Sequence, residues 1–127
     1  MYLYMVCCGN GEGVGDTLSA WDSAERLRKA VFERCFAENE HQARETAEIC
    51  LTGRLLEPET ASADVEHWVD SVVRDGEDTL LVAGSPLMGR VLRCLGAGIR
   101  AQQVLRPGDC RVVRIANGRA VMQRGGL

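Results

Sequence analysis

The first apolar positions do not alternate with polar ones. Tyr2-Leu3-Tyr4-Met5-Val6-Cys7 is an unbroken run of strand formers, the pattern of a strand covered on both faces. It runs into Gly9-Asn10-Gly11-Glu12-Gly13-Val14-Gly15, whose glycines predict a flexible loop. From Asp22 to Cys35 the spacing of Leu27, Ala30, Val31 and Cys35 predicts a helix, with Asp22 or Ser23 as its N-cap. Ala43 to Leu51 reads as a second helix with Ala43, Ala47, Cys50 and Leu51 on one face, stopping at Gly53. Between the two, Phe36 to His41 has room for a strand that the pattern alone does not settle.

Further on, Arg54 to Glu57 reads as a short strand before Pro58. A helix starting near Ser62 carries Val65, Trp68, Val69, Val72 and Val73 as an apolar stripe and ends at Gly76. Thr79 to Ala83 is a second buried strand. It turns at Gly84 into a helix with Ser85 as N-cap and Pro86 at the first helical position, which carries Leu87, Met88, Val91, Leu92 and Leu95 and ends at Gly96. Cys110–Ala116 and Arg119–Gln123 flank Asn117-Gly118, a strong signal for a two-residue hairpin. Strands alternating with helices predict an α/β fold, a three-layer sandwich with a mostly parallel central sheet and a C-terminal antiparallel hairpin. Ligands of such sheets sit beyond the carboxyl ends of the strands, here Cys7-Cys8-Gly9 and Ala83-Gly84-Ser85.

With 127 residues, 46% hydrophobic and 26% charged, the chain fits one folded domain over 1–127 and is far from a disordered composition. The opening apolar run falls well short of the roughly 20 residues that span a bilayer. It also lacks the basic start of a secretory signal, so the expectation is a cytoplasmic protein without a membrane segment. The six cysteines fall largely within predicted elements of a chain with ample aliphatic residues, which favours reduced thiols over a disulfide scaffold. Net charge is −3, unevenly spread: residues 1–78 hold 17 acidic against 7 basic side chains, whereas residues 79–127 hold Asp109 against eight arginines. Such arginines suit a phosphate-bearing or acidic ligand or protein, or else sit beside the acidic part within one domain and neutralise it. No aromatic residues interleave them along the chain, which argues against nucleic acid.

The glycine loop does not form a known phosphate cradle: Gly15 is followed by Asp16 rather than Gly-Lys-Ser/Thr, and no register satisfies G-x-G-x-x-G. Cysteine phosphatases place an arginine six positions after the nucleophile, where Cys8 is followed by Val14. No Cys or His spacing suits a closed zinc site, so no metal and no cofactor is expected. His41 and His67 have no partner acid or nucleophile set by spacing.

The order of these signals resembles the histidine phosphatase (phosphoglycerate mutase-like) superfamily, specifically its small phosphohistidine phosphatase members. The resemblance rests on Cys7-Cys8-Gly9 after the first strand, Gln42-Ala43-Arg44-Glu45-Thr46-Ala47-Glu48 on a helix, Ala83-Gly84-Ser85-Pro86 after a later strand, and the terminal hairpin. In that family the corresponding motifs are Arg-His-Gly, Arg-Ala-x-Gln-Thr-Ala-Glu and Gly-His-x-Pro. A neutral imidazole takes the phosphoryl group while two arginines and a second histidine hold its oxygens. The resemblance implies that Cys7 stands for the first arginine, Cys8 for the nucleophile, Gln42 for the second arginine and Gly84 for the second histidine. All four chemical roles are missing, while Gly9, Ala43, Thr46, Ala47, Glu48 and Pro86 are retained.

Loss of both nucleophile and clamp implies a catalytically degenerate domain, a non-enzymatic binding or regulatory protein. The alternative is an enzyme of altered chemistry with Cys8 as nucleophile and Arg44 or Arg90 as anion clamp. Residual anion binding would fall to Cys8, Gly9, Arg44, Gly84, Ser85 and Arg90, with the helix amides at Ser85 facing the ligand.

Overall fold

The computed structural model describes residues 1–9, 14–51, 56–57, 64–96 and 105–123, with backbone alone for 14–19. The elements run β1 (Tyr2–Cys7), α1 (Val14–Leu27), β2 (Arg34–Ala37), α2 (His41–Leu51), α3 (Val65–Asp75), β3 (Thr79–Ala83), α4 (Ser85–Leu95), β4 (Cys110–Ala116) and β5 (Arg119–Met122). They form one five-stranded sheet in the order β2-β3-β1-β4-β5, with β2, β3 and β1 parallel and β4 and β5 antiparallel. This is the three-layer α/β sandwich expected from the alternation of strands and helices.

Side-chain alternation divides the core in two. Leu3, Met5 and Cys7 of β1 join Leu81, Val113 and the apolar stripes of α3 and α4. Val6 and Cys8 turn to the other face, with Leu80, Val82 and the small residues Ala43 and Ala47 of α2. The α3 stripe of Val65, Trp68, Val69 and Val72 is buried as its spacing required, and Trp68 meets Phe36 of β2 edge to face at 5.3 Å.

Several boundaries differ from the sequence reading. Val14 and Gly15, expected in the loop, begin α1, while residues 10–13 lie outside the described residues. The helix expected over Asp22–Cys35 ends at Leu27: Ala30 N–H closes a turn on Leu27 C=O at 2.9 Å, and Val31 is 66% exposed. Cys35 shares helical spacing with Leu27, but its neighbour Phe36 is also apolar, and burying both on opposite faces of a strand removes more apolar surface from water. Asp22 and Ser23 are therefore inside α1 rather than caps, and the Ser23 hydroxyl donates to Gly108 C=O. The unsettled strand is real and runs over Arg34–Ala37, beginning two residues before the stretch from Phe36 to His41 and sharing only Phe36 and Ala37 with it.

Of the strand read at Arg54–Glu57, residues 54–55 lie outside the described residues, and Leu56 and Glu57 are not strand, although Glu57 N–H donates to Cys35 C=O at 2.8 Å. Ser62 lies outside them too. The α3 cap is Asp64, whose carboxylate accepts the His67 N–H. Gly84, not Ser85, is the N-cap of α4, which moves Ser85 to the first helical position and Pro86 to the second. β5 stops at Met122, one residue short of the run read to Gln123, whose N–H still donates to Val112 C=O. Asn117 (φ 52°) and Gly118 (φ 75°) both take the left-handed conformation that the hairpin turn needs.

Candidate functional site

Parallel pairing brings the carboxyl ends of β2, β3 and β1 to one rim. Cys8 N–H donates to Ala83 C=O at 2.9 Å, and Glu38 N–H to Val82 C=O at 2.9 Å, so residues 8, 38 and 84 all follow directly on paired strands. The rim thus assembles Cys8, Gly9, Gly84 and Ser85, as the strand ends suggested. Gln42, near the start of α2, is buried at 8% exposure on the helix face that carries Ala43, Thr46 and Ala47. The Thr46 hydroxyl on that face is buried with no described hydrogen-bond partner.

The two adjacent cysteines point to opposite sides of the sheet, Cys7 toward α3 and α4 and Cys8 toward α1 and α2. They cannot act as a chelating pair. Burial pushes the Cys7 thiol up to about 11, with Asp109 adding to the shift. Cys8 is pushed up to about 12, chiefly by burial and in smaller part by Cys7, Glu40 and Glu38. A nucleophilic cysteine needs positive surroundings that favour the thiolate, and Cys8 has negative ones.

Glu38 is the feature the sequence reading missed. Its Oε1 accepts the Gly84 N–H at 2.9 Å, on the N-cap residue of α4. The chain's own carboxylate therefore sits where the helix N-terminus would otherwise face an incoming anion. A Cβ at Gly84 would lie 3.5 Å from that oxygen. The signal was the β2 register: once the strand ends at Ala37, the next residue falls on the rim.

The proposed clamps are not brought to this place. Arg44 lies on the exposed face of α2 and donates from Nη2 to Asn39 Oδ1. Arg90 lines a groove with Asp64, Glu66 and Arg93, at the side of α3 and α4. His41 is exposed beside Glu45 at 3.2 Å, and His67 is on the outer face of α3. Among the described residues no group of three His, Cys, Asp or Glu side chains could hold a metal ion. No described helix is long and apolar enough to cross a membrane.

An α/β sandwich whose candidate site lies where three parallel strands end, beside an antiparallel hairpin, defines the class of protein. Solved structures then specify the fold as that of the histidine phosphatase superfamily. The protein histidine phosphatase SixA, solved with tungstate, superposes with a TM-score of 0.75 at 16% identity over 97% of this chain and 94% of its own. The α-ribazole phosphatase of Shigella flexneri gives 0.68 at 11% identity over 97% and 95%. The phosphoglycerate mutase of Plasmodium falciparum gives 0.66 at 13% identity over 98% and 89%. The sequence matches no family profile and no curated protein.

Proposed function

We propose that the chain is a catalytically degenerate histidine-phosphatase-like domain over 1–127 that works as a non-enzymatic binding or regulatory protein. The Glu38 carboxylate on the Gly84 amide carries this reading. Phosphoryl transfer needs a nucleophile and positive groups arranged around the transferred oxygens. Here the rim presents a buried thiol and acidic neighbours, and the two arginines nominated from sequence are directed elsewhere. An oxyanion approaching the start of α4 in this chain would meet the Glu38 carboxylate on the Gly84 amide.

The expected outcome is no turnover of p-nitrophenyl phosphate or of a phosphohistidine peptide. Turnover abolished by Cys8→Ala would refute the proposal and establish the alternative of Cys8 nucleophilic chemistry. That alternative requires a reactive thiolate, whereas a thiol at about 12 is ionised on the order of 10⁻⁵ at pH 7. Iodoacetamide should accordingly label exposed Cys94 well before buried Cys8.

A further inference from the structure

At the opposite end of β1 from Cys8, no described helix covers one face of the sheet beyond the end of α1. Leu3 and Met5 lie in the cluster under α3 and α4, so alternation places Tyr2 and Tyr4 on the other face. Register lays out a grid there: Tyr2 pairs with Arg114 and Arg114 with Val121, while Ala116 pairs with Arg119 one row further on. Arg114, Ala116 and Arg119 are exposed, Val121 is 60% exposed and Tyr2 36%.

Two adjoining concavities run over this face. One, of about 440 Å³, lies between Tyr2, Tyr4 and the cationic end of α1 with Arg26, Arg28 and Lys29. The other, of about 520 Å³, lies over Tyr2, Arg114, Arg119 and Val121, and Tyr2 and Gln123 line both. Glu25 is the acidic residue on the border and pairs with Arg28 at 3.6 Å, while Asp78 accepts the Tyr2 N–H. No described carboxylate is within ion-pair distance of Lys29, Arg114 or Arg119. A chain of net charge −3 has thus gathered around an aromatic pair three cations, Lys29, Arg114 and Arg119, that have no ion-pair partner among the described residues. The rings of Tyr2 and Tyr4 lie 6.2 Å apart and 32° from parallel.

We propose that this open face of β1, β4 and β5 binds single-stranded nucleic acid, with a base stacked on Tyr2 and the backbone phosphates held by Lys29, Arg114 and Arg119. Tyr4 backs Tyr2 and is itself supported by Phe32 at 6.4 Å. A sheet surface that joins exposed aromatic rings to cations provides both contacts a single strand requires, stacking and phosphate neutralisation. A polypeptide segment of Asp and Glu alone would satisfy the cations but has no flat ring for Tyr2, and a duplex keeps its bases stacked on one another. The aromatic residues missing between the arginines along the chain are supplied here by β1, through strand pairing across more than 100 positions.

Fluorescence anisotropy with labelled 12-mers of deoxythymidylate and of uridylate, from 50 to 200 mM salt, tests this. Three phosphate contacts give an expected slope of log affinity against log salt of about −2. Tyr2→Leu should weaken binding about tenfold or more, with Tyr2→Phe restoring it. Arg119→Gln, at an exposed position, should weaken binding and flatten the slope by about 0.7 without disturbing the fold. Absence of binding at 50 mM salt would overturn the proposal, as would binding indifferent to Tyr2→Leu. Displacement by polyglutamate as readily as by unlabelled oligonucleotide would overturn it in favour of an acidic polypeptide partner.

Discussion

Glu38 accepts the Gly84 N–H at the point where α4 begins, and a carboxylate so placed gains from both the hydrogen bond and the partial positive charge of the helix end. Removing it leaves that amide to water or to no partner. Glu38→Ala should lower stability by about 1–2 kcal/mol, and Glu38→Gln, which keeps an acceptor without the charge, by roughly half as much. Urea denaturation of the three proteins checks this, and equal midpoints would show that the contact contributes nothing. Cys8 and Gly84 could be placed on the rim from sequence because each follows an uninterrupted apolar run. Glu38 could not, because β2 has only four residues and its Cys35 also fitted the helical spacing of Leu27. Arg44 is only two residues from Gln42 in sequence. At about 100° per residue, two positions carry it roughly 200° around α2, onto the solvent side.

Elements with their own start and stop signals were legible: α3 and α4 end on glycines at φ 71° and 68°, and the hairpin turns on Asn117-Gly118. The start of α1 carried no such signal, since the glycines before it read as loop. Helix caps were less legible: Asp22 and Ser23 lie inside α1, and Ser85 is the first helical residue of α4 rather than its cap. At α4 the cap is Gly84, which has no side chain, so the helix start is held instead by a carboxylate from another strand end. At α3, Asp64 caps the His67 N–H at 3.0 Å. Asp64→Ala should cost about 1 kcal/mol, whereas Asp64→Asn or Asp64→Ser should cost much less. Thermal melts followed by circular dichroism would register the difference.

For the molecule as a whole, the buried thiols set a limit at alkaline pH. Cys7 is pushed up to about 11 and Cys8 and Cys50 to about 12, all chiefly by burial. Above about pH 9 the unfolded chain releases these protons while the folded chain keeps them, so the unfolded state binds fewer protons and stability falls as pH rises. The slope should approach about 1.4 kcal/mol per pH unit for each thiol, and fall by one thiol's share in Cys8→Ala. Denaturant midpoints should be level from pH 7 to 8 and decline beyond 9. The topology adds a constraint on timing. β1 lies in the middle of the sheet with β3 and β4 as its neighbours, so during synthesis one of its edges waits for residues 79–83 and the other for residues 110–116. Until β3 and then β4 have been made, the apolar run of β1 keeps unpaired edges, and the nascent chain carries a strand open to pairing with other chains.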